Sequence, residues 1–186
     1  MKNQAADRGP GRVLLDAEEI AVIVARLGRE ISADYKGRHP ILVNLLKGGV
    51  VFLADLIRQI TIPHHIEFMK VSSYEGGTTT SGNVRIIDDL SVSIENRDVL
   101  IVEDIIDTGT TLAYILDILR LRNPRSIEVC TLLQKRPLRR NTVPLRYVGG
   151  EIPDVYVVGY GLDHDENFRH LPHISALEFH EDGSIQ

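Results

Sequence analysis

Apolar runs that alternate with helix-patterned stretches along 186 residues predict an α/β fold, a mostly parallel sheet flanked by helices on both faces. Three observations carry this. PILVNLL (40–46) and DVLIVED (98–104) are apolar without alternation, as strands buried on both faces are. Between such runs, apolar residues recur at helical spacing. Hydrophobic residues make up 43% and charged residues 25% of the chain, so it can bury a core without disulfides or a structural metal.

The elements follow in order. Asp16 and Glu19 form a capping-box pattern, and Ile20, Ile23, Val24, Leu27 and Ile31 continue it as a helix that Gly37 can end. PILVNLL is a buried strand, followed by a helix carrying Val50, Leu53, Leu56, Ile57 and Ile60. HIEFMKV (65–71) and VRIIDDL (84–90) read as strands joined directly by the polar loop YEGGTTTSGN (74–83), which implies one antiparallel hairpin. DVLIVED precedes a helix with Leu112, Ile115, Leu116 and Leu119, and IEVCTLL (127–133) and VYVVGYG (155–161) are further strands. The His-rich stretch from about 162 to 186 is expected to pack over one end of the sheet. Residues 1–12, MKNQAADRGPGR, read as a frayed leader without the apolar segment of a signal peptide. The whole chain, 1–186, is expected to form one domain.

Composition excludes several classes. No apolar run approaches the ~20 residues that span a bilayer. The single Cys130 cannot form an intramolecular disulfide, which suits a reducing cytoplasm. A net charge of −5 argues against a nucleic-acid partner, with one local exception in Lys135, Arg136, Arg139, Arg140 and Arg146.

VLIVEDIIDTGTTL (99–112) poses the chemical question, because Glu103, Asp104 and Asp107 directly precede a turn suited to phosphate. Gly109 and the N–H groups of 108–111 stand at a helix start, where free donors and the helix dipole favour an anion. Thr108, Thr110 and Thr111 add hydroxyls. A sugar phosphate satisfies both halves, with its phosphate in the turn and its hydroxyls on Glu103 and Asp104. LLKGGV (45–50) supplies a second strand end, where Gly48 and Gly49 permit close backbone approach and Lys47 offers charge. The 72–83 loop is a candidate lid. Its Gly77 and Gly82 miss the Walker A pattern, since Asn83 stands where lysine is required. Asp163, Asp165 and Asn167 begin like a calcium loop, but Phe168 and Ile174 replace its glycine and closing glutamate. His164, His170 and His173 lack zinc-site spacing.

Together these residues resemble the type I phosphoribosyltransferases, whose signature is an apolar strand, two acidic residues and D-T-G-x-T. LLKGG, SSYEGG, DTGTT, Lys135 and EIPDVYVVGYGLDHDENFRHLPHI (151–174) occur in the order of the hypoxanthine (or hypoxanthine-guanine) enzymes of that family. The resemblance implies a parallel-sheet core flanked by helices, a flexible hairpin lid that includes Ser73 and Tyr74, and a small C-terminal hood from about 145–186. It implies that Asp107, Thr108, Gly109, Thr110 and Thr111 hold the 5′-phosphate of phosphoribosyl pyrophosphate. Glu103 and Asp104 would hold the ribose hydroxyls, directly or through Mg²⁺. Lys47, Gly48 and Arg169 would line the pyrophosphate site, with a strained peptide near Lys47, and Asp163 would ligate a second Mg²⁺. Lys135 would bond the purine 6-oxygen, Val157 the base through its backbone, Tyr156 would stack on the ring, and backbone carbonyls around Asp163 would meet the purine at its 2-position. His164 departs from the tyrosine common at its position.

The implied reaction joins a 6-oxopurine to the ribose and releases pyrophosphate, with Asp107 as general base. Homodimers and homotetramers both occur in such families. The alternative is a regulator of the same fold that binds RNA and nucleotides through the 135–146 cluster.

Overall fold

In the computed structural model, which describes residues 11–74, 83–136 and 143–178, the chain begins with β1 (Val13–Leu15), α1 (Ala17–Asp34), β2 (Ile41–Leu46) and α2 (Val50–Gln59). It continues through β3 (His65–Tyr74), β4 (Asn83–Asp88), β5 (Asp98–Ile106), α3 (Thr110–Arg120) and β6 (Ser126–Arg136). The last strands are β7 (Tyr147–Pro153), β8 (Val157–Val158) and β9 (Ile174–Ala176).

Alternation along the central strands builds two apolar layers. Leu42 of β2 and Leu100 and Val102 of β5 pack with Ile20, Val24, Leu27 and Ile31 of α1 and with Phe52, Leu53 and Leu56 of α2. Ile41, Val43, Val99 and Ile101 point the other way, against Leu112, Ile115, Leu116 and Leu119 of α3. Each fully buried side chain of this kind stabilises the fold by roughly 1.5–3 kcal/mol. The capping box is formed: Asp16 accepts from the Glu19 N–H at 2.8 Å, and Glu19 accepts from the Asp16 N–H at 2.9 Å. Helix α1 ends before Gly37, with Tyr35 as its C-cap.

The main sheet has the order β4-β3-β2-β5-β6-β7, parallel throughout except for the antiparallel β3–β4 hairpin. That hairpin is the one expected from direct succession of two strands. Its loop, residues 75–82, the expected lid, lies outside the described residues; the backbone pairing of Ser73 with Val84 and Tyr74 with Asn83 leads up to it. The buried Cys130 lies on β6 as expected.

A second sheet, β1-β9-β8, is antiparallel and covers part of the chain's C-terminal region. Its edge strand comes from the N-terminal segment, and the Arg12 carbonyl accepts from the Ala176 N–H at 2.9 Å. Residues 1–10 of the expected leader lie outside the described residues. Within the 145–186 stretch, β7 joins the main sheet beside β6 instead of entering this small sheet. The strand expected over 155–161 shortens to Val157–Val158, because Gly159, Tyr160 and Gly161 all have positive φ, which no strand accommodates.

Candidate active site

Three neighbouring parallel strands end at one edge of the sheet, where α/β folds place their ligands. β2 leads into Lys47 and Gly48, β5 into Glu103, Asp104 and the 107–109 turn, and β6 into Lys135. The Leu46–Lys47 peptide bond is cis. A Cβ on residue 48 would fall 1.9 Å from Asp104 Oδ2, so only glycine lets this backbone lie against the carboxylate.

Gly109, at φ 70°, turns the chain into α3 and its carbonyl accepts the first helical bond, from Ala113 at 2.9 Å. Thr108 Oγ1 lies 3.2 Å from the Thr110 hydroxyl and 3.4 Å from its N–H. A cavity of about 270 Å³ opens over this turn, lined by residues 107–111 and also by Lys47, Gly48, Glu103 and Asp104. The threonines and N–H groups of the turn and the two buried carboxylates thus bound one space.

Burial dominates the electrostatics of the two carboxylates on the β5 end. Glu103 and Asp104 are each 9% exposed. Burial pushes the Glu103 carboxyl well above the usual range, and the adjacent Asp104 charge adds to it. Burial likewise raises Asp104, to about 6, opposed by the Ile105 N–H at 2.6 Å and by the Arg169 charge. Hydroxyl donors or a cation would relieve this cost.

A second cavity, of about 320 Å³, shares Lys47, Gly48, Asp104 and Asp107 with the first and adds Lys135, Tyr156, Val157, Asp163 and Arg169. Lys135 Nζ donates to Asp107 Oδ2 at 3.2 Å and lies 3.8 Å from Asp154 Oδ1. The Tyr156 hydroxyl donates to the Asp163 carbonyl at 3.1 Å, and the His164 ring meets the Tyr156 ring edge-on at 5.3 Å. His164 therefore keeps an aromatic contact where tyrosine was expected. Arg169 donates to the Gly161 carbonyl at 2.8 Å and pairs with Asp163 at 2.8 Å.

Apart from Gly49, the site residues singled out from the sequence whose side chains are described line one of these two cavities, and Ser73 and Tyr74 end β3. Sequence reasoning missed Asp154, Leu162 and Glu166. Glu166 lies three residues before Arg169, the only local signal it gave, and pairs with both Lys47 and Arg169. A larger cavity of about 570 Å³ between α1, α2 and residues 160–172 contains Arg169 but none of the other predicted residues. The described members of the basic cluster are occupied by acids. Lys135 holds Asp107, Arg136 pairs with Glu151, and Arg146 pairs with Asp34 at 2.9 Å.

Comparison with known proteins agrees with this geometry. A family model described as the phosphoribosyl transferase domain matches residues 12–166. The chain belongs to the phosphoribosyltransferase family. Among its phosphoribosyltransferase relatives, the hypoxanthine-guanine phosphoribosyltransferase of Staphylococcus epidermidis is 50% identical over 166 residues, covering 89% of this chain and 93% of that one. The hypoxanthine phosphoribosyltransferase of Salmonella typhimurium is 47% identical over 167 residues, covering 89% and 94%. A crystal structure of a hypoxanthine phosphoribosyltransferase from Staphylococcus aureus superposes with a TM-score of 0.88 at 46% identity, covering 96% of this chain and 97% of that one. Among the described residues, no helix of this phosphoribosyltransferase is long and apolar enough to cross a membrane.

Proposed function

We propose that this chain is a purine-salvage transferase that converts hypoxanthine, and also guanine, with phosphoribosyl pyrophosphate to inosine or guanosine monophosphate and pyrophosphate. One observation carries the substrate assignment. Lys135 and Asp107 stand 3.2 Å apart on the cavity that Tyr156 and Val157 also line. A 6-oxopurine presents its 6-oxygen and a ring nitrogen as neighbours on one edge. An ammonium donor beside a carboxylate acceptor matches that edge when the ring nitrogen carries its proton. The names of the relatives point the same way.

The residues divide the work by charge. The 108–111 turn binds the 5′-phosphate, and Glu103 and Asp104 accept from the ribose hydroxyls. Their negative field also favours the oxocarbenium-like sugar as the bond to pyrophosphate breaks. Lys47 and Arg169 hold the departing diphosphate. Asp107 takes the proton from N7, the ring nitrogen beside the 6-oxygen, as N9, unprotonated in that tautomer, attacks the sugar. Lys135 donates to a 6-oxo group and repels a 6-amino donor, which selects against adenine. Tyr156 stacks on the ring and supplies affinity irrespective of the base.

The donor set suits Mg²⁺. No three His, Cys, Asp or Glu side chains among the described residues form a metal cage. Mg²⁺ usually takes one or two carboxylates and completes its shell with substrate phosphates and water. Glu103 and Asp104 are the residues that would hold one ion and Asp163 a second, and the burial of the first two favours a cation beside them. When bound, Mg²⁺ supplies positive charge to the pyrophosphate leaving group. The lone buried Cys130 is in keeping with a cytoplasmic setting. A homodimer or homotetramer follows from the family resemblance.

Lys135→Ala tests the substrate assignment. Loss of a hydrogen bond from a charged donor, worth about 1.5–3 kcal/mol, should raise the KM for hypoxanthine by roughly 10- to 100-fold. Steady-state pyrophosphate release reads it, and an unchanged hypoxanthine KM would refute the assigned role of Lys135.

A further inference from the structure

The two cations assigned to the diphosphate approach it from distant parts of the chain, Lys47 after β2 and Arg169 after β8. One side chain bridges them. Glu166 Oε1 accepts from Lys47 Nζ at 2.7 Å, while Oε2 accepts from Arg169 Nε at 3.3 Å and from its terminal nitrogen at 3.1 Å. A carboxylate that divides its two oxygens between a lysine and an arginine makes the contacts that two phosphate oxygens would make.

We propose that Glu166 is a built-in competitor for pyrophosphate, a carboxylate that holds Lys47 and Arg169 and must leave before the diphosphate end of either substrate or product can bind. This rests on the assignment of Lys47 and Arg169 given above. The Lys47 and Arg169 hydrogen bonds hold the Glu166 carboxyl below its usual range, so it is charged at neutral pH. Its N–H donates to Asp163 Oδ2 at 2.9 Å, which fixes the direction from which the side chain reaches the cations. The Glu166 side chain is 63% exposed and Lys47 56%, so the bridge is weak and yields to a more highly charged ligand. A weak competitor lowers diphosphate affinity modestly and hastens product release, where a strong one would block the site.

The test is calorimetric titration of inorganic pyrophosphate with Mg²⁺ into the full chain, alongside the KM for phosphoribosyl pyrophosphate. Glu166→Gln should tighten both by about 3- to 10-fold, the range expected from losing two exposed ion pairs. Glu166→Ala should act in the same direction, so the outcome does not depend on one variant folding. Asp165→Asn is the control, since it removes the same charge at the residue next to Glu166, and the Asp165 carboxylate faces His164 at 3.7 Å. It should leave both constants unchanged. Unchanged or weaker pyrophosphate binding in both Glu166 variants would overturn the proposal and leave Glu166 as a tether of the 163–169 loop. Equal tightening in Asp165→Asn would overturn it in favour of general charge. Failure of the unmodified chain to turn over any purine would instead defeat the proposed function, independently of Glu166.

Discussion

Asp107 is 56% exposed and its partner Lys135 only 12%, so a ligand can reach the carboxylate while the lysine stays sheltered behind it. That asymmetry suits a base that meets the incoming ring and a donor that holds its edge. Asp107→Asn should lower kcat by ~10²–10⁴ and leave the KM for phosphoribosyl pyrophosphate little changed. Single-turnover rates measure this, and an unaltered chemical step would remove Asp107 from the role of base. At this scale the sequence was informative wherever function is local. Glu103, Asp104 and the 107–111 turn fall within nine consecutive residues, so the expectation of a phosphate beside hydroxyls needed no tertiary information. Glu166 was not legible, because its partner Lys47 lies 119 positions away and only the folded chain brings them together. Asn44 was equally hidden. It sits inside an apolar run, fully buried, and donates to the Val102 carbonyl at 2.8 Å across β2 and β5.

Elements were legible in proportion to their length and periodicity. β2, β5 and β6 announce themselves as apolar runs, and α1 by its capping box and helical spacing. The three-residue strands β1 and β9 are too short to carry a pattern, and their pairing is set by tertiary contacts. VYVVGYG misleads because its apolar content resembles a strand while its second half is a turn. Gly161 shows why that turn is needed. Its φ is 98°, its carbonyl accepts from Arg169, and a Cβ there would lie 2.3 Å from the Gly48 carbonyl oxygen. Gly161→Ala should therefore cost about 1–3 kcal/mol and raise the KM for phosphoribosyl pyrophosphate, since the Lys47–Gly48 segment must shift. Urea denaturation with parallel kinetics would check it, and a variant of unchanged stability and KM would contradict this packing account.

Over the whole molecule, two groups of carboxylates oppose each other. Asp34 is held below its usual range by Arg146 and Tyr147, and Asp89 by Arg122. For Glu67 burial is the largest single influence and acts upward, yet the hydrogen bonds from Ser91 and His65 together hold it below its usual value. Their stabilisation is present above the unfolded values of 3.8–4.5 and is lost as the pH falls through the lower folded values. Glu103 and Asp104 behave oppositely. Their contribution is full below the unfolded values and is lost as the pH rises, through about 6 for Asp104 and higher for Glu103. Stability should therefore peak between about 4 and 6. Asp104→Asn should be more stable than the parent at pH 8 by on the order of 1–3 kcal/mol, with no such gain at pH 4, while losing activity. Denaturation at both pH values measures this, and a gain of equal size at pH 4 and 8 would contradict the linkage. The buried carboxylates thus lower stability where the site works, as expected of groups placed for a ligand. The fold class and its two-layer core follow from periodicity in the chain, whereas the small sheet depends on joining both ends of the sequence. The most direct test of the central claim is pyrophosphate release from phosphoribosyl pyrophosphate and Mg²⁺, with hypoxanthine, guanine, xanthine, adenine and uracil offered in parallel. Turnover with hypoxanthine and guanine, and none with adenine or uracil, is the predicted result. No turnover with any base from folded protein, or turnover with adenine, would contradict it.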